Sequence, residues 1–148
     1  MNTIFGQGIA SNMDKNPSQI GIITELKCQI WLIEQGYNIC IPIGNYQKYD
    51  IVIEKNNKFY KIQCKHASET KNGFMVRTKF QKRQNGKVIK KKYTPNDIDF
   101  FMTEFKGKYY LFPPFETQET KFWTVPSRLK NASKQAQNFK AEDVLNKL

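Results

Sequence analysis

The sequence predicts an α/β fold, in which a mixed β-sheet is flanked by helices and carries an added basic β-hairpin. Three observations support this. Aliphatic residues recur at three- and four-residue steps between Ser18 and Gln35, the spacing of one helical face. Three short β-rich runs follow in quick succession, giving an α-β-β-β start. Further along, Asn85-Gly86 separates two strand-like runs crowded with cations.

The elements follow in chain order. Residues 1 to about 17 are polar, without periodicity, and end in Asn16-Pro17, so they read as a loose arm. The helix then takes Ser18 as N-cap and carries Ile20, Ile23, Leu26, Ile30 and Ile33 on its apolar side, with Gly36 stopping it. Tyr37 to Ile43, Tyr49 to Glu54 and Phe59 to Lys65 read as three strands. Lys55-Asn56-Asn57-Lys58 supplies the turn between the last two, because Asn tolerates positive φ better than other non-glycine residues. Side chains alternate faces along a strand, so Phe59, Lys61, Gln63 and Lys65 share one face and Tyr60, Ile62 and Cys64 the other. Asp50 stands where the second strand begins. The polar ends of the two strands are therefore expected to meet.

A second hairpin is predicted from Phe74 to Lys82 and Lys87 to Tyr93, within a segment spanning about 73–93. Thr94-Pro95-Asn96-Asp97 resembles a helix start, with Thr94 as cap and Pro95 at the first position. Ile98, Phe101, Met102 and Phe105 match a helical face, while Phe100 to Phe105 and Tyr109 to Phe112 about Gly107 match a hairpin. Gly107 between two aromatic runs, and Pro113-Pro114 after the second, favour one helical turn followed by two strands. Beyond residue 115 there is an apolar piece around Phe122, Trp123 and Val125, then short helices at Pro126 to Lys130 and Ala141 to Leu148.

Length and charge narrow the function. A chain of 148 residues suits a single domain and buries about two-thirds of its unfolded surface without needing a disulfide or structural metal. The net charge of +11, from 24 Lys and Arg against 13 Asp and Glu, together with a pI near 9.6, points to a polyanionic partner. No apolar run reaches the roughly 18 residues that a membrane helix needs, and Met1 to Lys15 lacks the charged and apolar regions of a secretory signal. A cytoplasmic protein is the expectation. Cys28, Cys40 and Cys64 have no CxxC spacing, and His66 is the one histidine, so no familiar zinc pattern forms and the cysteines read as reduced, core or near-core residues.

Asp50, followed by Gln63-Cys64-Lys65 on the next strand, resembles the signature of the PD-(D/E)xK nuclease superfamily: an acid on one strand, then an acid or Gln, any residue, and Lys. Gly21-Ile22-Ile23-Thr24-Glu25 is similar to the GxxxE helix element of several branches. Asp99-Phe100-Phe101 and Tyr109 to Pro113 are similar to a later strand pair of the same fold. The resemblance covers about residues 18–114, leaving 115–148 as a C-terminal extension, and is closest to the QxK subgroup of homing endonucleases encoded in group I introns. It implies a restriction-endonuclease-like core and a double-stranded DNA endonuclease that hydrolyses phosphodiesters with one or two Mg²⁺ ions.

Under this resemblance Asp50 is the main metal ligand, Gln63 and the backbone carbonyl of Cys64 add oxygens, and Lys65 orients or helps deprotonate the attacking water and offsets developing charge. Glu25 reads equally as a solvated helix position and as a group reaching the metal shell through water or holding a second ion. Gln63 stands where an acid is usual and lowers the charge of the site. Glu54 reads as solvent-facing, and His66 as a phosphate contact or a residue with no role.

The stretch Arg77 to Lys92 holds eight Lys or Arg and no acid. Such a ribbon repels itself and suits a nucleic-acid groove. Arg77, Lys79, Gln81 and Arg83 are predicted to contact base edges or phosphates, and Lys82, Lys87, Lys90, Lys91 and Lys92 to meet phosphates. Cutting both strands of a duplex calls for two sites, so a homo-oligomer, dimer or tetramer, is expected. Two other readings stay open: a Holliday-junction resolvase or repair nuclease of the same fold, and a DNA-binding protein whose nuclease site has decayed.

Overall fold

The computed structural model describes residues 15–125 and 134–148. Helix α1 spans Pro17–Glu34. Its cap lies two residues earlier than the sequence suggests, since Asn16 rather than Ser18 is the N-cap. The Asn16 side chain accepts from the Gln19 backbone N–H, and the Gln19 side chain accepts from the Asn16 N–H. Pro17 at the first helical position has no N–H to satisfy. Gly36, with φ of +86°, closes the helix in the left-handed region.

Five strands form the main sheet. They are β1 (Ile39–Cys40), β2 (Ile51–Lys55), β3 (Lys58–Cys64) and, later in the chain, β8 (Phe100–Phe105) and β9 (Lys108–Phe112), in the order β1-β2-β3-β8-β9. All neighbours are antiparallel except β3 and β8, whose parallel pairing sets Ile62 beside Phe100 and Cys64 beside Met102. The sheet is thus mixed. The first predicted strand shrinks to two residues, because only Ile39 and Cys40 find partners on β2.

Between β3 and β8 the chain builds β4 (Ala67–Thr70), β5 (Gly73–Arg77), β6 (Lys79–Gln84) and β7 (Lys87–Lys92); β10 (Glu119–Trp123) follows the main sheet. β10, β5 and β4 make a second sheet, and among the described residues β6 pairs only with β7. This corrects the predicted hairpin: Gly73 to Val76 pair with Thr70 to Ala67 on one side and Gly73 to Arg77 pair with β10 on the other, leaving Lys79 onward as the free ribbon. Phe74 and Val76 are fully buried aromatic and aliphatic groups that a solvated ribbon could not cover. Thr94 to Asp97 forms a single turn in which the Asp97 carboxylate accepts from the Thr94 N–H and hydroxyl, so Asp97 rather than Thr94 is the capping side chain.

The main sheet is covered on both faces. Cys28 and Leu32 of α1, with Ala141 and Leu145 of α2 (Ala141–Asn146), pack on Ile51, Ile53, Ile62, Met102 and Leu111. On the other face Phe101, Tyr110 and Phe112 meet Phe74, Val76 and Phe122 of the second sheet and Ala136 of a short 3₁₀ helix. Residues beyond 114 thus reach both clusters. The predicted helix at 126–130 lies outside the described residues.

Candidate active site

Strand alternation and one tight turn assemble the site. Asn56 and Asn57 both take positive φ, 52° and 62°, and fold β2 back on β3 so that Ile51 faces Ile62. Asp50, one step before β2, donates its backbone N–H to the Ile62 carbonyl at 2.9 Å. Its carboxylate then lies across the end of β3, where Oδ2 accepts from the Cys64 N–H at 2.8 Å and from Gln63 Nε2 at 2.6 Å. The same Gln63 amide donates to the Cys64 carbonyl at 3.2 Å. Asp50, Gln63 and the Cys64 carbonyl therefore share one spot.

Lys65 leaves β3 on the same side as Gln63, anchored by its N–H to the Met102 carbonyl at 3.0 Å. Its ammonium lies 5.4 Å from the centre of the buried Tyr93 ring. Burial holds the Lys65 amine below the usual lysine range, opposed by the charge of Asp50. Burial likewise raises the Asp50 carboxyl above its ordinary value, while the Cys64 N–H and the Lys65 charge pull it back. Glu25, arriving from α1, is raised by partial burial and then by the negative charge of Asp50; its carboxylate accepts from the Gln29 amide at 3.2 Å. Three ionisable groups from α1, the start of β2 and the end of β3 thus sense one another.

Whether this spot suits a divalent cation is a question of donors. A negative oxygen and a carbonyl oxygen both receive protons from one amide, so the positive end of that amide occupies the place between them. A primary amide carries its oxygen and its NH₂ about the same terminal torsion, so rotation exchanges which end faces the carboxylate. Among the described residues no group of three or more His, Cys, Asp and Glu side chains could hold a metal. The set is instead one carboxylate, a carbonyl and an amide, with Glu25 near. Such sparse, all-oxygen provision fits Mg²⁺, which keeps several waters and shares its remaining positions with substrate phosphate.

The other predicted residues fall elsewhere. Glu54 is exposed opposite Phe59, and His66 is exposed, sensing Glu104 and Lys27 rather than Asp50. Arg77 belongs to β5, opposite Glu119, and not to the basic hairpin. Within the hairpin Lys79, Gln81 and Arg83 share a face with Lys92, Lys90 and Val88; Phe80, Lys82 and Gln84 share the other with Lys91, Ile89 and Lys87. The turn has φ of 52° at Asn85 and 75° at Gly86, as an Asn-Gly type I′ turn requires.

Tyr93 is a neighbour to which the sequence assigns no functional role. It stands directly after β7, meets Phe80 at 4.9 Å and Phe101 at 5.1 Å between ring centres, and lies beside the Lys65 ammonium. The signal along the chain is slight: an aromatic between a lysine run and Thr94-Pro95 reads only as the end of a strand.

Curated protein sequences show no match to this chain. Among solved structures the chain is similar to a bacterial homing endonuclease, I-Ssp6803I, with a TM-score of 0.70 and 18% identity over 89% of this chain and 93% of that one. At that identity the likeness establishes a common fold. The family model for PD-(D/E)XK endonuclease matches residues 15–143, a span that holds α1, all ten strands and the Asp50-Gln63-Lys65 cluster. This chain belongs to the PD-(D/E)XK endonuclease family.

Proposed function

We propose that the protein is a Mg²⁺-dependent endonuclease that cuts double-stranded DNA at preferred sequences, in the manner of a homing endonuclease. The observation that carries this is the meeting of Asp50, Gln63 and the Cys64 carbonyl at the end of β3, with Lys65 projecting beside them. When bound there, the ion supplies Lewis acidity at the scissile phosphate and favours ionisation of a nucleophilic water.

The residues would divide the work. Asp50, Gln63 through its amide oxygen and Cys64 through its backbone carbonyl would hold the ion, and Glu25 would complete its shell through water. Lys65, desolvated against Tyr93, would hold the attacking water by hydrogen bond and offset charge building on the phosphoryl oxygens. The hairpin β6–β7, with Lys79, Lys82, Arg83, Lys87, Lys90, Lys91 and Lys92 and no acid, would grip the DNA backbone. We assign all 148 residues to one nuclease domain.

A second copy is part of the proposal, since both strands must be cut. Its contact surface would be the outer face of α1. Ile22, Leu26, Ile30 and Ile33 there are all at least half exposed, an aliphatic stripe without Lys or Arg on a strongly cationic chain. Sedimentation would show a dimer or tetramer that Leu26→Glu converts to monomer.

The decisive experiment supplies Mg²⁺ to the purified protein with random-sequence duplex and with four-way junction DNA. Duplex breaks that stop with a chelator are expected. Junction cleavage with intact duplex would favour a resolvase. Tight binding without breaks on either DNA would mean a DNA-binding protein with a decayed site, the reading that Gln63 in an acid's place invites.

A further inference from the structure

The loop before Asp50 is not used by the chemistry above. Asn45, Tyr46, Gln47 and Lys48 line one side of a cleft of about 390 Å³, faced by Phe80, Gln81, Lys82 and Lys91 of the hairpin, with Tyr93 as part of its wall. Tyr93 also flanks the Lys65 ammonium, so one side chain's width separates this cleft from the proposed reaction centre.

The loop is held in place at both ends of the cleft side. Lys48 forms an ion pair with Asp97 at 2.5 Å and lies 4.8 Å from the centre of the Phe80 ring, which ties the loop to the root of the hairpin. Gly44, at φ of +84°, turns the chain, and a Cβ there would stand 3.3 Å from the Tyr46 ring. The tyrosine ring thus lies over the bare glycine while remaining 95% exposed by residue surface. Burial in this fold explains neither that exposed aromatic nor the neighbouring amides.

Their chemistry is that of base recognition. Asn45 and Gln47 each offer a donor and an acceptor at a fixed spacing, which suits the edge of a base, adenine best. Lys82 and Lys91 supply positive charge on the opposite wall for phosphate, since Asp97 offsets the charge of Lys48. We propose that this cleft is a specificity-determining subsite for duplex DNA, where Asn45 and Gln47 read one or two base pairs beside the scissile phosphate and Tyr46 packs against the same nucleotide. The inference rests on the nuclease reading for the position of that phosphate, but not for base recognition itself.

The test selects duplexes from a randomised library by binding, using the full chain carrying Lys65→Ala so that nothing is cut. Asn45→Ala with Gln47→Ala, added to that background, is expected to flatten the preference at one or two adjacent positions by roughly ten-fold or more, leaving the rest of the consensus intact. Lys82→Ala with Lys91→Ala is expected to weaken binding to all sequences alike. A consensus unchanged by the Asn45 and Gln47 substitutions, or a selected pool with no preference at all, overturns the subsite. All four side chains are exposed, and an unchanged thermal transition checks that each variant folds. Failure of the nuclease reading appears separately, as intact DNA when the unsubstituted protein is given Mg²⁺.

Discussion

The end of β3 and the hairpin β6–β7 are both hairpin-derived, yet they are held by opposite means. Asp50 is fixed by three hydrogen bonds to Ile62, Cys64 and Gln63, and its strand lies on a core in which Ile51, Ile53 and Ile62 are fully buried. The hairpin forms a sheet of its own, with Gln81 to Val88 all exposed and Phe80 at its root packed on Tyr93 and under Lys48. An isolated two-stranded hairpin is marginal in water, and this one adds repulsion among its lysines. On the proposed reading, chemistry that needs fixed distances would sit on the rigid element, while gripping a polyanion would need only charge and adaptability. The difference predicts that substitutions in the first region act on rate and those in the second on affinity.

The largest effect separates the regions most sharply. Lys65→Ala and Asp50→Ala should each slow cleavage by about 10²-fold to 10³-fold or more while changing DNA affinity only slightly. Single-turnover cleavage and fluorescence anisotropy on the same duplex measure the two quantities. Equal losses in both would place these residues in the grip instead.

In the hairpin the expected change is in salt dependence. If about six phosphates are contacted, log affinity falls with log salt at a slope of roughly −5, and removing Lys87, Lys90, Lys91 and Lys92 together should bring the slope to about −2. A slope that stays steep would mean that the grip lies elsewhere.

A gain is expected at Gln63. Gln63→Glu restores a second negative charge beside Asp50, so the Mg²⁺ concentration for half-maximal cleavage should fall by about ten-fold. An unchanged Mg²⁺ requirement would remove Gln63 from the ion's shell.

The smallest effect is on stability. Burial raises the Asp50 pKa from 3.8, so the folded protein holds that proton more tightly than the unfolded chain. The stability linked to it is fully present below pH 3.8 and is lost as pH rises through the raised value. Asp50→Asn carries no such titration. Without metal, the Tm of the Asn variant relative to the natural chain should therefore be level at acid pH and climb as pH rises through that interval. A difference that does not vary with pH would contradict a desolvated carboxylate.

The elements that local chemistry specifies were legible along the chain. Asn56-Asn57, Asn85-Gly86 and Lys106-Gly107 all adopt paired positive φ, so the three hairpin turns lie where the turn residues stand. The alternation from Phe59 to Lys65 places Gln63 and Lys65 on one face, since a strand's period permits nothing else. Less legible was the partition of 74–82. Its composition runs unbroken from Val76 to Lys82, and the seating of Phe74 and Val76 in the aromatic cluster, with buried Thr78 bonded to the Thr117 and Gln118 carbonyls, divides it at Thr78.

By itself, the sequence determined the extent of the helix, the tight turns, the Asp50-Gln63-Lys65 pattern and the cationic ribbon, because each depends on residues close along the chain; it did not determine the buried face of the helix, which is Thr24, Cys28 and Leu32 while the predicted Leu26, Ile30 and Ile33 stay exposed. Tertiary structure alone decided that Arg77 leaves the ribbon for a second sheet, that Tyr93 backs Lys65, and that loop 45–48 faces the hairpin across a cleft. Those outcomes depend on burying aromatic surface between residues up to tens of positions apart. No local spacing encodes which partner a buried ring will find.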